Sequence, residues 1–221
     1  MTPLIRTRRL FLFRADFRRS AWYRDGRPPP GPPIPEELEF RWLDESDWRR
    51  DPRAVIAVPD VAGERFSGGG RCLIARDRQG DTVHEMWILP SGTWTEWIRA
   101  VVDVPDGYAL FAGSWTRPDW RRRYLMGCAR TLGCIEACRI GRPGLFAGIE
   151  EHEILPRAER HARNGLYAMV PDQVLVHRQV FGWSWHWREP PPPEMVSACH
   201  AAAARYPQFF GSRSIVRDRA D

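Results

Sequence analysis

The sequence has no lysine: all 33 of its basic residues are arginine, and Asn164 is its single asparagine. That usage follows genomic base composition and carries no functional weight. No apolar run comes near the roughly 18 residues that span a bilayer, so a membrane-crossing helix is excluded. The basic start has only four consecutive apolar residues, Leu10 to Phe13, too few for a secretory signal core. Five cysteines (72, 128, 134, 138 and 199) are an odd number without tight paired spacing. This speaks against a disulfide scaffold and for reduced thiols, so a cytoplasmic protein is expected. The usual catalytic signatures are missing as well. There is no G-x-S-x-G elbow, no G-x-x-x-x-G-K-S/T loop, no H-E-x-x-H and no G-x-G-x-x-G.

What is present is an ordinary globular composition. The 221 residues are 43% apolar and 28% charged, with 26 aromatic side chains that need a dry interior. A chain of this length buries about 70% of its unfolded surface. The formal charge of +5 is unevenly spread: residues 1–24 carry seven Arg against one Asp, and the other 197 residues sum to −1. A near-neutral body argues against a general nucleic-acid binder, which needs phosphate contacts across a whole face.

Two proline tracts, RPPPGPPIP at 27–35 and EPPPP at 189–193, read as stiff spacers. They divide the chain into a basic N-terminal arm (1–26), a Pro-rich linker (27–35), a domain (36–188) and a linker with a C-terminal helix (189–221). In that helix Met195, Cys199, Ala202 and Tyr206 share an apolar face.

Within the domain, Leu38–Leu43 reads as a strand, followed by a helix capped at Asp44 or Ser46. Arg71–Arg76 and Thr82–Leu89 read as a hairpin around Gln79-Gly80-Asp81. Gly107–Trp115 is a long strand. Leu125, Cys128, Leu132, Ile135 and Cys138 make one apolar stripe on a helix over 121–140, stopped by Gly141. Leu145–Glu153 is a strand, Pro156–Asn164 a polar helix closed by Gly165, and Val174–Val180 with Trp183–Trp187 a hairpin around Phe181-Gly182. Gly68-Gly69-Gly70 precedes a strand and reads as a flexible loop. Cys134 and Cys138, four apart, read as packed thiols, and no metal site is expected. The fold class is α/β (α+β): a single central mixed, mostly antiparallel sheet flanked by helices.

The most informative stretch is 107–133, GYALFAGSWTRPDWRRRYLMGCARTLG. A long strand ends at Trp115-Thr116, a proline turn follows, and Arg121, Arg122 and Arg123 open a helix. A helix start presents unpaired N–H groups and a positive dipole end, so arginines placed there suit a pyrophosphate. The order resembles the GNAT superfamily of acyltransferases, where a strand leads into a P-x-[YF]-R-G-x-G-x-G/A loop that cradles acyl-CoA. Pro118, Asp119, Trp120 and Arg121 match the opening of that loop. Arg122, Tyr124 and Met126 stand where the family has small residues. The resemblance covers roughly residues 38–187.

It implies a donor site at Trp115, Thr116, Arg121, Arg122, Arg123, Tyr124, Leu125 and Met126. It also implies a base from the following strand, which ends in Glu150-Glu151-His152-Glu153. Glu150 and His152 would share one side of that strand. His161, at the position of the family's helix tyrosine, and Tyr167 are the candidates to protonate a leaving thiolate. The bland reading of His161 is an exposed histidine. His84, Trp87 and the Trp183/Trp185/Trp187 face are candidates for an acceptor pocket; the Trp face otherwise covers a helix.

The function so implied is transfer of an acyl group from a thioester, acyl-CoA or acyl-ACP, to an amine of a small molecule or peptide. In the second case the basic arm would dock an acidic carrier protein. A non-catalytic binding module that has lost the cofactor loop is the alternative. RNA contact through the arm is a weaker third reading.

Overall fold

The computed structural model describes residues 5–90, 92–95, 100–181 and 183–210. The first elements are β1 (Ile5–Asp16), α1 (Ala21–Arg24), β2 (Glu39–Leu43), α2 (Glu45–Arg50) and α3 (Pro59–Ser67). Next come β3 (Arg71–Arg76), β4 (Thr82–Leu89), β5 (Thr93–Thr95), β6 (Ala100–Val102) and β7 (Ala109–Thr116). The chain continues through α4 (Leu125–Arg139), β8 (Gly144–Ile149) and α5 (Ile154–Arg163). It closes with β9 (Val170–Val180), β10 (Trp183–Glu189), α6 (Pro193–Ala204) and α7 (Pro207–Phe210). Eight strands form one mixed sheet flanked by helices, as expected from the sequence, and β5 pairs with β6 separately. The chain divides into a terminal unit (Met1–Pro28, Trp94–Val102, Phe146–Asp221) and a central unit (Pro29–Thr93, Asp103–Leu145).

In the central unit the strand order is β7-β4-β3-β2, with neighbours antiparallel. The β3/β4 hairpin turns at Gly80, whose φ of +86° suits glycine. Asp44 caps α2 in a capping box with Asp47. One sheet face packs Leu73, Ala75, Val83 and Met86 against Leu125 and Ala129 of α4. Fully burying such a side chain is worth about 1.5–3 kcal/mol. On another cluster Phe66 of α3 lies 4.7 Å from the Trp87 ring and 5.7 Å from Trp48 of α2.

Helix α4 departs from the expected stripe. It starts at Leu125 rather than 121, because Arg122 and Tyr124 have left-handed backbones that a right-handed helix cannot include. Its buried face is Leu125, Cys128, Ala129, Gly133, Cys134 and Ala137, while Ile135 stays 44% exposed. Small residues win because the helix lies close to the strands; a methyl group on Gly133 would meet Phe111 and Met86. Cys134 is fully buried, and burial pushes its thiol well up. The proline tract also packs here: Cys128 Sγ lies 3.5 Å from the Pro33 carbonyl, and Pro32 touches Gly127.

The glycine run is not a loose loop. Gly68, Gly69 and Gly70 donate to the carbonyls of Glu64, Phe66 and Arg65 and so close α3, an element the sequence pattern did not show.

In the terminal unit the order is β10-β9-β1-β8. Strand β1 lies within the stretch read as an arm. Its second half buries the consecutive Phe11, Leu12 and Phe13, which is the mark of a strand covered on both faces. Its first half, bearing Arg6, Arg8 and Arg9, carries the charge. Phe17, Trp22 and Tyr167 cluster beyond it, and Ser20 Oγ and Trp22 Nε1 both donate to the Leu166 carbonyl. The β9/β10 hairpin forms as expected, with Phe181 at φ +46°; Gly182 lies outside the described residues. On β10, Trp183, Trp185 and Trp187 are exposed by 75%, 51% and 38%, so no helix among the described residues covers them.

Strand β8 ends at Ile149, four residues short of the expected end. Residues 150–153 have no apolar member to bury, and Glu151–Glu153 form a 3-10 turn closed by the Glu153 N–H on the Glu150 carbonyl. The expected sorting of Glu150 and His152 by strand alternation therefore does not apply.

Candidate active site

The loop after β7 is built by three local features of the central unit. Pro118–Trp120 forms a 3-10 turn, Arg122 (φ +67°) and Tyr124 (φ +59°) take left-handed backbones, and α4 then starts with no side-chain cap. A left-handed non-glycine residue costs on the order of 1–2 kcal/mol, so the surrounding structure enforces this shape. The two positions are those where the GNAT-type loop has glycine. Glycine itself is absent there, but both positions hold a backbone that suits glycine. Such a turn before a helix start aims backbone N–H groups outward, which favours an anion.

The side chains around it are tied unequally. Arg121 Nε donates to the Thr116 carbonyl at 3.3 Å. Arg123 lies 4.5 Å over the Trp120 ring and 3.8 Å from Glu37. Arg117 grips Asp77, Asp81 and Asp119. Tyr124 is 78% exposed, Met126 and Trp115 are half-buried, and Leu125 belongs to the core cluster. Thr116 Oγ1 lies 2.8 Å from Nδ1 of His84. His84 is fully buried, and burial pushes its pKa down to about 4, so the ring is neutral.

Next to this lies a group the sequence reading missed. Glu85 is fully buried in β4, and its carboxylate accepts from the N–H groups of Ile56 and Ala57 and from Trp87 Nε1. Arg65 of α3 lies 5.3 Å over the Trp87 ring. Strand β7 bulges beside them: Ala112 pairs with Trp87 and Trp115 with Glu85, which leaves one extra residue at Gly113-Ser114. A carboxylate inside the mostly apolar TVHEMWIL was the signal available in the sequence.

In the terminal unit Glu150 and His152 come together, Nδ1 to Oε2 at 3.5 Å, at an open groove of about 530 Å³ shared with Glu151 and the Arg6–Arg9 stretch. Glu153 is drawn away into an ion pair with Arg157. His161 is buried, not exposed, because its ring packs 4.7 Å from that of Tyr167. Tyr167 is itself fully buried.

No protein-family model matches the sequence, and no curated protein matches it. Solved structures do resemble it. A Drosophila protein aligns with a TM-score of 0.50 at 16% identity, over 80% of this chain and 52% of that one. At this identity the likeness is one of fold. From β2 to α5 the chain order is the one the resemblance implied, with α3, β5 and β6 added and β1 joining the sheet from the stretch read as an arm. A GCN5-related N-acetyltransferase from Sphaerobacter thermophilus aligns at TM-score 0.47, 18% identity, over 81% and 54%. Another from Kribbella flavida aligns at 0.41, 14% identity, over 66% and 50%. The chain spans about half the length of each of these structures, and at such identities the likeness reaches no further than the fold. No helix among the described residues is long and apolar enough to cross a membrane.

Proposed function

We propose that this GNAT-like chain is an N-acyltransferase that takes an acyl group from acyl-CoA and passes it to an amine of a small molecule or peptide. The observation that supports it best is the loop before α4, where Arg122 and Tyr124 hold left-handed backbones at the expense of strain. The loop from Thr116 to Met126 holds the donor's pyrophosphate through backbone N–H groups, with Arg121 to Arg123 supplying charge. Glu150 or His152 takes the proton from the acceptor's ammonium group. The free amine attacks the thioester carbonyl; a C–N bond forms and the C–S bond breaks. Backbone N–H groups of β7 hold the carbonyl oxygen as charge develops on it. A proton from solvent neutralises the leaving thiolate, since Tyr167 and His161 are buried.

The test compares melting with and without acetyl-CoA, and then amine-dependent thiol release. A ligand at 100 times its dissociation constant adds about 2.7 kcal/mol of stability. Stabilisation together with thiol release supports the reading. No shift with acetyl-CoA or longer acyl-CoAs, but thiol release from acyl-ACP that weakens when Arg6, Arg8 and Arg9 are neutralised, would move the donor to a carrier protein. Neither donor working would leave a binding module.

A further inference from the structure

We propose that Arg65, above the β7 bulge, is the anchor for a carboxylate on the acyl-accepting substrate, so that the acceptor is an amine that also bears an acid, as an amino acid or a peptide C-terminus does. This deepens the acyltransferase reading and rests on it.

The case starts from unspent donors. Arg65 Nε and Nη1 are buried and have no hydrogen-bond partner among the described residues. Burying guanidinium N–H groups without acceptors costs free energy, and the penalty is greater for a charged group. Burial accordingly lowers the Arg65 pKa, while Glu85 pulls it back up. Glu85 supplies the compensating charge but not the acceptor: its oxygens face Ile56, Ala57 and Trp87, and neither Nε nor Nη1 of Arg65 bonds to them. The guanidinium thus carries its charge with the hydrogen bonds of Nε and Nη1 unmade.

The strand opposite is shaped around it. Gly113 has φ +58°, and a Cβ there would stand 2.6 Å from Arg65 Nη1 and 3.0 Å from the Trp87 ring. Only glycine lets the guanidinium come this close to β7. The bulge leaves part of the β7 ladder unpaired at Gly113-Ser114, and Ser114 is exposed, so solvent reaches this point. A fork of N–H donors beside spare backbone groups is the geometry that binds a planar carboxylate. A single negative charge suits the site better than a phosphate dianion, since Glu85 already places one negative charge among the same residues.

The experiment is a thermal-shift and calorimetric panel of glycine, alanine, phenylalanine and glutamate, each beside its C-terminal amide, without any thioester present. At least one free amino acid is expected to bind and its amide to bind at least about tenfold more weakly. Arg65→Met is expected to remove the difference between acid and amide, and Arg65→Lys, which keeps the charge but not the fork, to retain part of it. Circular dichroism of each variant without ligand separates lost binding from lost folding. If Arg65→Met does not fold, the Arg65→Lys result decides. Equal behaviour of acid and amide in all four pairs, or unchanged discrimination in the variants, overturns the proposal. Because no donor is used, a chain inert toward acyl-CoA and acyl-ACP alike would sink the acyltransferase reading while leaving the carboxylate result to stand or fall by itself.

Discussion

His84 Nδ1 stands 2.8 Å from Thr116 Oγ1, across neighbouring strands and under complete burial. Burial lowers the ring's pKa from 6.5 to about 4. A depressed pKa means that the unfolded chain takes up the proton first. The stability is therefore present above pH 6.5 and is lost as the pH falls toward 4. That shift is worth at most about 3 kcal/mol. Melting between pH 7 and pH 4.5 should show the loss, and His84→Gln should flatten it. Parallel profiles for the two proteins would show that His84 is not the titrating group.

Arg122 and Tyr124 predict an inverted glycine effect. Glycine at an ordinary position costs about 0.5–1 kcal/mol, but here it would relieve a left-handed backbone. Arg122→Gly and Tyr124→Gly should therefore be neutral or stabilising by up to about 1 kcal/mol in urea denaturation. A loss of the usual size at both positions would contradict the left-handed loop.

Gly70 tests whether the glycine run is a helix closure. A Cβ there would stand 2.5 Å from the Arg65 carbonyl oxygen and 2.7 Å from Leu89 Cδ2. The backbone contact cannot yield without opening the end of α3. Gly70→Ala should cost about 1–3 kcal/mol, whereas a flexible loop would accept it freely. The chemical denaturation midpoint distinguishes the two.

Glu136 links α4 to β3. Its buried carboxylate lies 2.7 Å from Arg71 Nε and 2.7 Å from each of two Arg139 nitrogens. Its pKa is lowered, first by the Arg139 hydrogen bonds and then by the charges of Arg71 and Arg139, against an opposing effect of burial. This stabilisation is present above pH 4.5 and is lost as the pH falls below it. Glu136→Gln should cost about 1–3 kcal/mol at pH 7 and less at pH 3.5. An equal loss at both values would point to packing rather than charge.

Local chemistry explains why some of this was legible. The bounds of β3 and β4 follow from a short apolar run, a Gln-Gly-Asp turn and a second run. Asp44 announced its capping box, and Gly165 the end of α5. The 3-10 turn at Glu151–Glu153 was misread as strand because charged residues give no periodicity to read. Helix α3 was missed because its apolar pattern is weak and its buried residues are only Ala62 and Phe66.

The sequence by itself determined the α+β class and the presence of a helix after the run of arginines, because each is written in neighbours along the chain; where that helix starts, at Leu125 rather than 121, it did not. The tertiary structure decided the environments of the side chains. Glu85 is a buried acceptor only because Ile56 and Ala57, some 28 positions earlier, bring their N–H groups to it. His161 is buried because the chain folds Tyr167 back onto it, and Nε and Nη1 of Arg65 lie buried without an acceptor among the described residues where Gly113 lets β7 come close. Burial and partnership are set by residues distant in the chain, and they are what turn an ordinary side chain into a site.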